Sequence, residues 1–591
     1  MKRNIKTIAA LITAALMLFS FTACKSSGSN GGNDINEVPA TPIITDEPTK
    51  APTAEPTKEA VKEPTAAPEP TKPEVTEEPT PTQEPVATAE PIPETPDIPS
   101  NIEVYIGERY ESDWNQEQNK SNGWYEYDYP ELTEKFAEAY PKLAEAFETY
   151  RQDKEDGTES ILTDIVSAAV SDEVYASYFR NEELKVIRAD STIVSLHYDY
   201  TVYTGGIHGL YGSFGLCWDP VTGESIKLND IIRDKDLFVD AIYDKLTTDH
   251  DIEDFFDYEN LKAHISEVLD SELLPFEIGY NYLSVIFNPY DIASHNLGQI
   301  YVDFPFKGNE TLFNEKYLVS PKNYMVSMDN DHRLKTDLND NGTVDKIDFY
   351  LDFCNEWEDY DGVTFYLNDQ PIPKTFEFGE ACYGIDPVYI HANDGDYIYF
   401  TLWFASEDTM TFAYRIDMNK DGYDENAEDN PWGTIVEIAD GGLWDLDRNA
   451  SYDPMNMIMS CRRDMIGTNF IEAAFYVGND GLPVQKDEEY KFSAEYELTT
   501  KKEFTFKEIS WENGEITGET VIPAGEVIRM AYTDAYTYVD CVWDHDNVDH
   551  RVRIDMEEER IYFDDDNYYS AISVVGVDDV NELFDGMIYA D

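Results

Sequence analysis

This chain is short of positive charge. In 591 residues, 43 Lys and Arg stand against 120 Asp and Glu, a formal net charge of −77 at neutral pH. Nucleic-acid phosphates and anionic lipid surfaces repel such a chain, which excludes both as partners and favours basic proteins or bound cations. Cysteine is sparse too, at 6 residues with no C-x-x-C pair. That excludes a disulfide framework and a zinc site. Cys354 and Cys382 remain open to pairing, which spacing alone does not decide. None of the 9 histidines lies in H-E-x-x-H or in a deacetylase-like Asp-Asp and paired-histidine pattern, and G-x-S-x-G is missing. After the N-terminal segment no apolar run is long enough to cross a bilayer.

What is present begins with an address. Lys2, Arg3 and Lys6 precede an apolar run from Ile8 to Phe21, too short for a stable anchor helix. Phe21-Thr22-Ala23-Cys24 resembles the lipobox of bacterial lipoproteins, with Phe21 where leucine is usual. The resemblance implies a signal peptide over 1–23 and a lipid (palmitate) on Cys24. It also implies an extracytoplasmic, lipid-anchored protein of a Gram-positive bacterium. Residues 24–101 read as a disordered linker: "EPTK" recurs at Glu47, Glu55 and Glu69, and proline every few residues blocks helix and sheet. Extended at ~3.1 Å per residue, it reaches roughly 200 Å.

The remaining ~490 residues are too many for one core. Over 102–310, helical spacing at Leu132, Phe136, Tyr140, Leu143 and Phe147 is interrupted by Pro141. Val194, Leu196, Tyr198, Tyr200 and Val202 alternate as one face of a strand. Two amphipathic helices follow, through Phe238, Ile242 and Leu246 and through Leu261, Ile265 and Leu269, then strands at Leu283–Phe287 and Ile300–Phe304. The pattern is α+β with a largely antiparallel sheet.

Three motifs occur here in order: "YTGGIHG", "WDPVTGESIKLNDII" and "YLSVIFNPYDIASHNLGQIYVDFPF". Together they resemble the extracellular domain of RsiV-type anti-sigma factors, a domain also found in PdaC-type peptidoglycan deacetylases. Ile207 departs from the small residue usual there. The resemblance implies a receptor or sensor role, with a lysozyme-like protein as candidate ligand. From the residues themselves, Gly205 and Gly206 permit a close strand crossing across which His208 hydrogen-bonds. A ligand contact at Gly205, Gly206 and His208 is the second reading, and catalysis the third, since a catalytic histidine needs a partner that the sequence does not reveal.

Over 311–591, "DLNDNGTVD" sets Asp337, Asn339, Asn341, the Thr343 carbonyl and Asp345 at alternate positions around Gly342. Oxygen ligands so spaced can wrap a calcium ion. Asp417, Asn419, Asp421, the Tyr423 carbonyl and Glu425 repeat the spacing around Gly422, and a degenerate copy without the glycine begins at Asp445. Alternating residues flank the loops, so strands rather than EF-hand helices carry them. Such loops resemble FG-GAP or integrin-like repeats. An all-β region is expected, propeller-like or sandwich. The sequence therefore reads as a non-catalytic binding or sensing protein with structural calcium. The alternative is a glycan- or peptidoglycan-binding surface protein, and an enzyme whose site is not legible ranks behind both.

Overall fold

The computed structural model describes residues 98–589 except 116–119, 171–177, 206–207, 330–332, 355–358, 405–408, 420–421, 425–426, 428–429, 447–452, 563–567 and 578. Cys24, Gly206, Asp421 and Glu425 thus lie outside the described residues.

The N-terminal sheet has the strand order β1 (Val104–Asn115), β2 (Lys120–Leu132), β3 (Tyr178–Ala189), β4 (Val194–Tyr203), β5 (Leu210–Trp218). All neighbours are antiparallel except β2 and β3, which run parallel. A parallel pair needs a long crossover. Helices α1 (Glu134–Ala139) and α2 (Pro141–Val170) supply it. Pro141 does not break one helix. It opens the second, where its missing N–H costs nothing. Leu143, Phe147 and Ile165 of α2 are buried against one face of the sheet, with Tyr125, Tyr127, Leu184, Leu196 and Tyr198.

Next come α3 (Lys235–Asp249) and α4 (Leu261–Asp270), which pack on a three-stranded antiparallel sheet of β6 (Phe276–Ile278), β7 (Tyr282–Phe287) and β8 (Ile300–Pro305). The helical faces are those read from the spacing: Phe238, Ile242 and Leu246, then Leu261, Ile265 and Leu269, are all buried. This core also takes in Leu312, Phe313 and Tyr317, so it runs past residue 310. β5 and β6 meet at Gly215, where an added Cβ would lie 2.0 Å from the Phe276 carbonyl oxygen. Gly215 is thus a close strand approach that the sequence motifs did not single out, whereas Gly206 lies outside the described residues.

The β-rich region contains two five-stranded sheets. One holds β10 (Leu334–Thr336), β11 (Asp345–Phe353), β12 (Tyr360–Leu367), β13 (Gln370–Pro371) and β14 (Phe376–Cys382). The other holds β9 (Tyr324–Ser327), β15 (Gly384–Ala392), β16 (Gly395–Trp403), β17 (Thr409–Met418) and β18 (Gly433–Leu443). They share one core: Ile347, Phe349, Val363 and Phe365 of the first meet Ile398, Phe400, Phe412 and Tyr414 of the second. The second sheet is buried on both faces. Val388, Ile390, Tyr397 and Tyr399 alternate to the opposite side, against Met457, Met459, Phe475 and Val477. Those residues belong to a third, twelve-stranded sheet among the described residues of 445–585. All five cysteines from Cys217 onward are free thiols, Cys354 and Cys382 included. Among the described residues no helix is long and apolar enough to cross a membrane.

Candidate functional site

The turn between β4 and β5 carries the glycine–histidine motif. Gly205 has φ +98°, a conformation that side-chain-bearing residues rarely adopt. His208 is exposed, and its Nδ1 donates to the carbonyl of the next residue, Gly209, at 3.0 Å. It therefore bonds locally rather than across a strand crossing. Its ring faces that of His295 at 4.7 Å. Tyr211 and Tyr290 close around His295, each with its ring centre 5.7 Å away. His295 Nε2 is buried and has no hydrogen-bond partner among the described residues, whereas Tyr211 and Tyr290 are 37% and 46% exposed. The result is a cluster of two imidazoles and two phenols open to solvent. His295 and Tyr290 come from "NPYDIASHNLG", the part of the third motif that joins β7 to β8.

Behind this turn lies a buried ionic chain that periodicity did not reveal. His197 is 1% exposed, with Nδ1 2.6 Å from Glu277 and Nε2 3.0 Å from Asp199. Burial alone would lower its pKa, but hydrogen bonds to Asp199 and Glu277, and their charges, raise it to about 9. The imidazolium donates from both nitrogens. The other Glu277 oxygen accepts from Lys335 at 3.1 Å. Lys335 also pairs with Asp303 at 3.4 Å and lies over the Tyr301 ring at 3.6 Å. Ser213 donates to Asp199. This geometry gives His197 two carboxylate acceptors on different strands, which suits anchoring. It ties β4 to β6 and both to β10. Arg188, fully buried, makes a second tie: it pairs with Asp190 at 2.7 Å and donates to the carbonyls of Tyr317 and Val319 at 2.9 and 2.6 Å.

The calcium-type loops join β10 to β11 and β17 to β18. In the first, the two Asp337 carboxylate oxygens accept from the backbone of Asn341 and Gly342, both at 2.9 Å. Asn341 accepts from Thr343 at 2.8 Å, and Asn339 from Asn341 at 3.2 Å. Asp345 accepts from Leu338 and from Asn368. Gly342 takes φ +82° at the bend. Asp337 and Asp345 are 4% and 1% exposed, and no described Lys or Arg pairs with either. Burial raises both pKa values, and the charge of Asp337 adds to the rise at Asp345. Two buried, mutually repelling carboxylates without a cation are costly, so the first loop fits a calcium ion. The second fits less well. Asp417 is held by Arg415 through two bonds of 2.8 and 2.7 Å, and Asp421 and Glu425 lie outside the described residues. Among the described residues no three His, Cys, Asp or Glu side chains form a metal-binding group. The loops touch: Asn339 Nδ2 donates to the Asn419 carbonyl at 3.0 Å. At the third copy, Asp445 accepts from Thr409 and Thr411, and burial lifts its pKa to about 6.

No family model matches the chain, and no curated protein matches it. Two solved structures of DUF3298 family proteins are similar. One, from Bacteroides fragilis, is 16% identical with a TM-score of 0.28, over 37% of this chain and 98% of that one. The other, from Pseudomonas aeruginosa, is 11% identical with a TM-score of 0.26, over 38% of this chain and 98% of that one.

Proposed function

We propose that this protein is a non-catalytic binding or sensing module of the bacterial surface. Cys24 carries its lipid anchor, and the proline-rich linker holds the folded part away from the membrane. The proposed ligand is a basic, lysozyme-like protein. The observation that carries this reading is the solvent-open cluster of His208, Tyr211, Tyr290 and His295 on a chain with a net charge of −77. Aromatic residues are favoured anchors of interfaces, and the charge steers a basic partner toward them. Calorimetry of the whole chain with lysozyme, at low and at physiological salt, tests it. Binding that weakens with salt is expected, and no binding at low salt removes this ligand.

The second reading is a glycan- or peptidoglycan-binding protein. Exposed Tyr350, Phe353, Trp403 and Trp511 in the β-rich region favour it. Pull-down on purified peptidoglycan separates the two. The core shared by the two five-stranded sheets supports a sandwich rather than a propeller for 324–443. Calcium, if bound, sits in the loop of Asp337, Asn339, Asn341, Thr343 and Asp345, where it neutralises the two buried carboxylates.

A further inference from the structure

The five-stranded N-terminal sheet has two faces, and α2 covers only one. On that covered face the buried Glu182 has two cations, Lys154 and Arg180. The strand registers place a different set of side chains on the opposite face, in successive rows. Ser112, Trp124, Phe179 and Tyr203 form the first row, opposite one another across β1 to β4. Tyr110, Glu126, Asn181, Thr201 and Tyr211 form the second. The third contains Glu108 opposite Asp128, and Glu183 opposite Asp199 and Ser213. The fourth, with His197 and Gly215, lies under β6. The first two rows extend beyond β6, as does the third from β1 to β3; at its β5 end the third row is covered, with Ser213 1% exposed and bonded by Asn288 and Gln299.

These rows differ in chemistry. The first is an apolar ridge. Trp124 and Phe179 lie 4.7 Å apart and 7° from parallel, flanked by Tyr110 at 6.0 Å and Tyr203 at 6.2 Å. The rings stack on one another and so turn edges rather than flat faces outward. That arrangement suits apolar contact and not the stacking of sugar rings. Behind the ridge stand Glu108, Glu126, Asp128 and Glu183, and no described Lys or Arg forms an ion pair with any of the four. The nearby Lys185 is paired with Asp329 at 2.8 Å. Crowding registers in the protonation of the group: burial, then the charges of Glu108 and Glu183, raise the pKa of Glu126. Burial, then Glu183, Glu108 and Glu126, lift Asp128 to about 7 against a bond from the Leu184 N–H. At ~4.8 Å per strand the carboxylates spread over roughly 10–15 Å, too wide for one metal ion.

We propose that this open face, from β1 to β4, is a docking surface for a cationic protein, with Lys or Arg side chains on the carboxylate rows and apolar groups on the Trp124–Phe179 ridge. It rests on the reading of the chain as a binding module for a basic protein and extends that partner's contact onto the sheet from the histidine cluster, which the second row adjoins through Tyr211. Electrostatic complementarity argues for this occupant: four carboxylates that repel one another gain a counter-charge only when the partner arrives.

The test uses the whole chain and two probes, lysozyme and a nonapeptide of alternating arginine and tryptophan, at about 0.15 M salt to suppress diffuse attraction. Calorimetry gives the affinity, and hydrogen exchange maps the protected strands. Glu126→Gln with Glu183→Gln should weaken binding of both probes about tenfold, and Glu126→Lys with Glu183→Lys should abolish it. Tyr110→Ser, at a position 52% exposed and so tolerant of change, should weaken it several-fold. Protection should appear over 104–132 and 178–203. Unchanged affinity in the Gln and Lys pairs, with protection elsewhere, overturns the docking face. If His208→Ala and Tyr290→Ala alone abolish lysozyme binding, the binding-module reading stands and this surface falls. If the nonapeptide binds here and lysozyme binds nowhere, the surface stands and the lysozyme-like ligand falls. If peptidoglycan fragments displace both probes from these strands, the occupant is a glycan and the proposal fails.

Discussion

The most exacting prediction concerns His197. Both ring nitrogens meet carboxylates, Glu277 at 2.6 Å and Asp199 at 3.0 Å, in a site 1% exposed. A neutral imidazole would turn a lone pair toward one of them, so the folded protein holds the proton up to about pH 9 although burial opposes it. The unfolded chain releases its proton near pH 6.5. The stabilisation is thus fully present below 6.5 and is lost as pH rises through about 9. The separation between those values corresponds to about 3 kcal/mol at ~1.4 kcal/mol per pH unit. Long-range proton–nitrogen NMR should find both ring nitrogens protonated at pH 8. Urea unfolding of the N-terminal signal should shift to lower midpoints between pH 6.5 and 9.5. His197→Gln should be less stable at pH 6 and should lose that slope. A ring with one bare nitrogen at pH 8, or an equal slope in the variant, would refute the assignment of the proton to this bridge.

Three further outcomes are expected. Asp128 has its pKa lifted to about 7 by burial and by Glu183, Glu108 and Glu126, so its protonated form stabilises the fold in acid and that contribution is lost as pH rises from about 4 through about 7. Asp128→Asn should flatten thermal stability over that window, and an unchanged pH profile would count against the crowding. Millimolar calcium should raise the melting temperature of the whole chain, by an amount following RT ln(1 + [L]/Kd), about 2.7 kcal/mol at one hundred times Kd. Asp337→Asn or Asp345→Asn should remove most of the effect and Asp417→Asn little of it, because Asp417 already holds Arg415; identical melts with and without chelator would reject structural calcium. Cys24→Ala should release the protein from membranes, since the anchor contributes ~0.8 kcal/mol per buried methylene, and membrane retention after washing would reject lipidation.

Much of the local structure was legible because it is encoded locally. Alternation at Val194–Val202 and 3.6-residue spacing at Phe238–Leu246 specify which side chains face a core, whatever that core turns out to be. Glycine at 342 and 422, among aspartates and asparagines, specifies two tight acidic turns, and both glycines do take positive φ. The hairpin of β1 and β2 was passed over, because β2 alternates Tyr125, Tyr127 and Tyr129 with Glu126 and Asp128, and β1 mixes Glu108 and Tyr110 on one face, so neither shows a sustained aliphatic alternation. Tertiary structure decided the rest. By alternation Ser195, His197 and Asp199 belong to a solvent face, yet Ser195 and His197 are buried, because β6 packs across the narrow step at Gly215. His208 and His295 lie far apart in the chain and meet only when β5 and the loop before β8 are both in place. The two acidic loops look alike in sequence, but their first aspartates differ: Asp417 bonds Arg415, two residues back on its strand, whereas Asp337 is buried and pairs with no Lys or Arg among the described residues. Local pattern fixes backbone conformation and the parity of each side chain. Which surface covers a given face, and which charge finds a counter-charge, depends on contacts between residues distant in the chain, and those arise only from the packing of whole sheets.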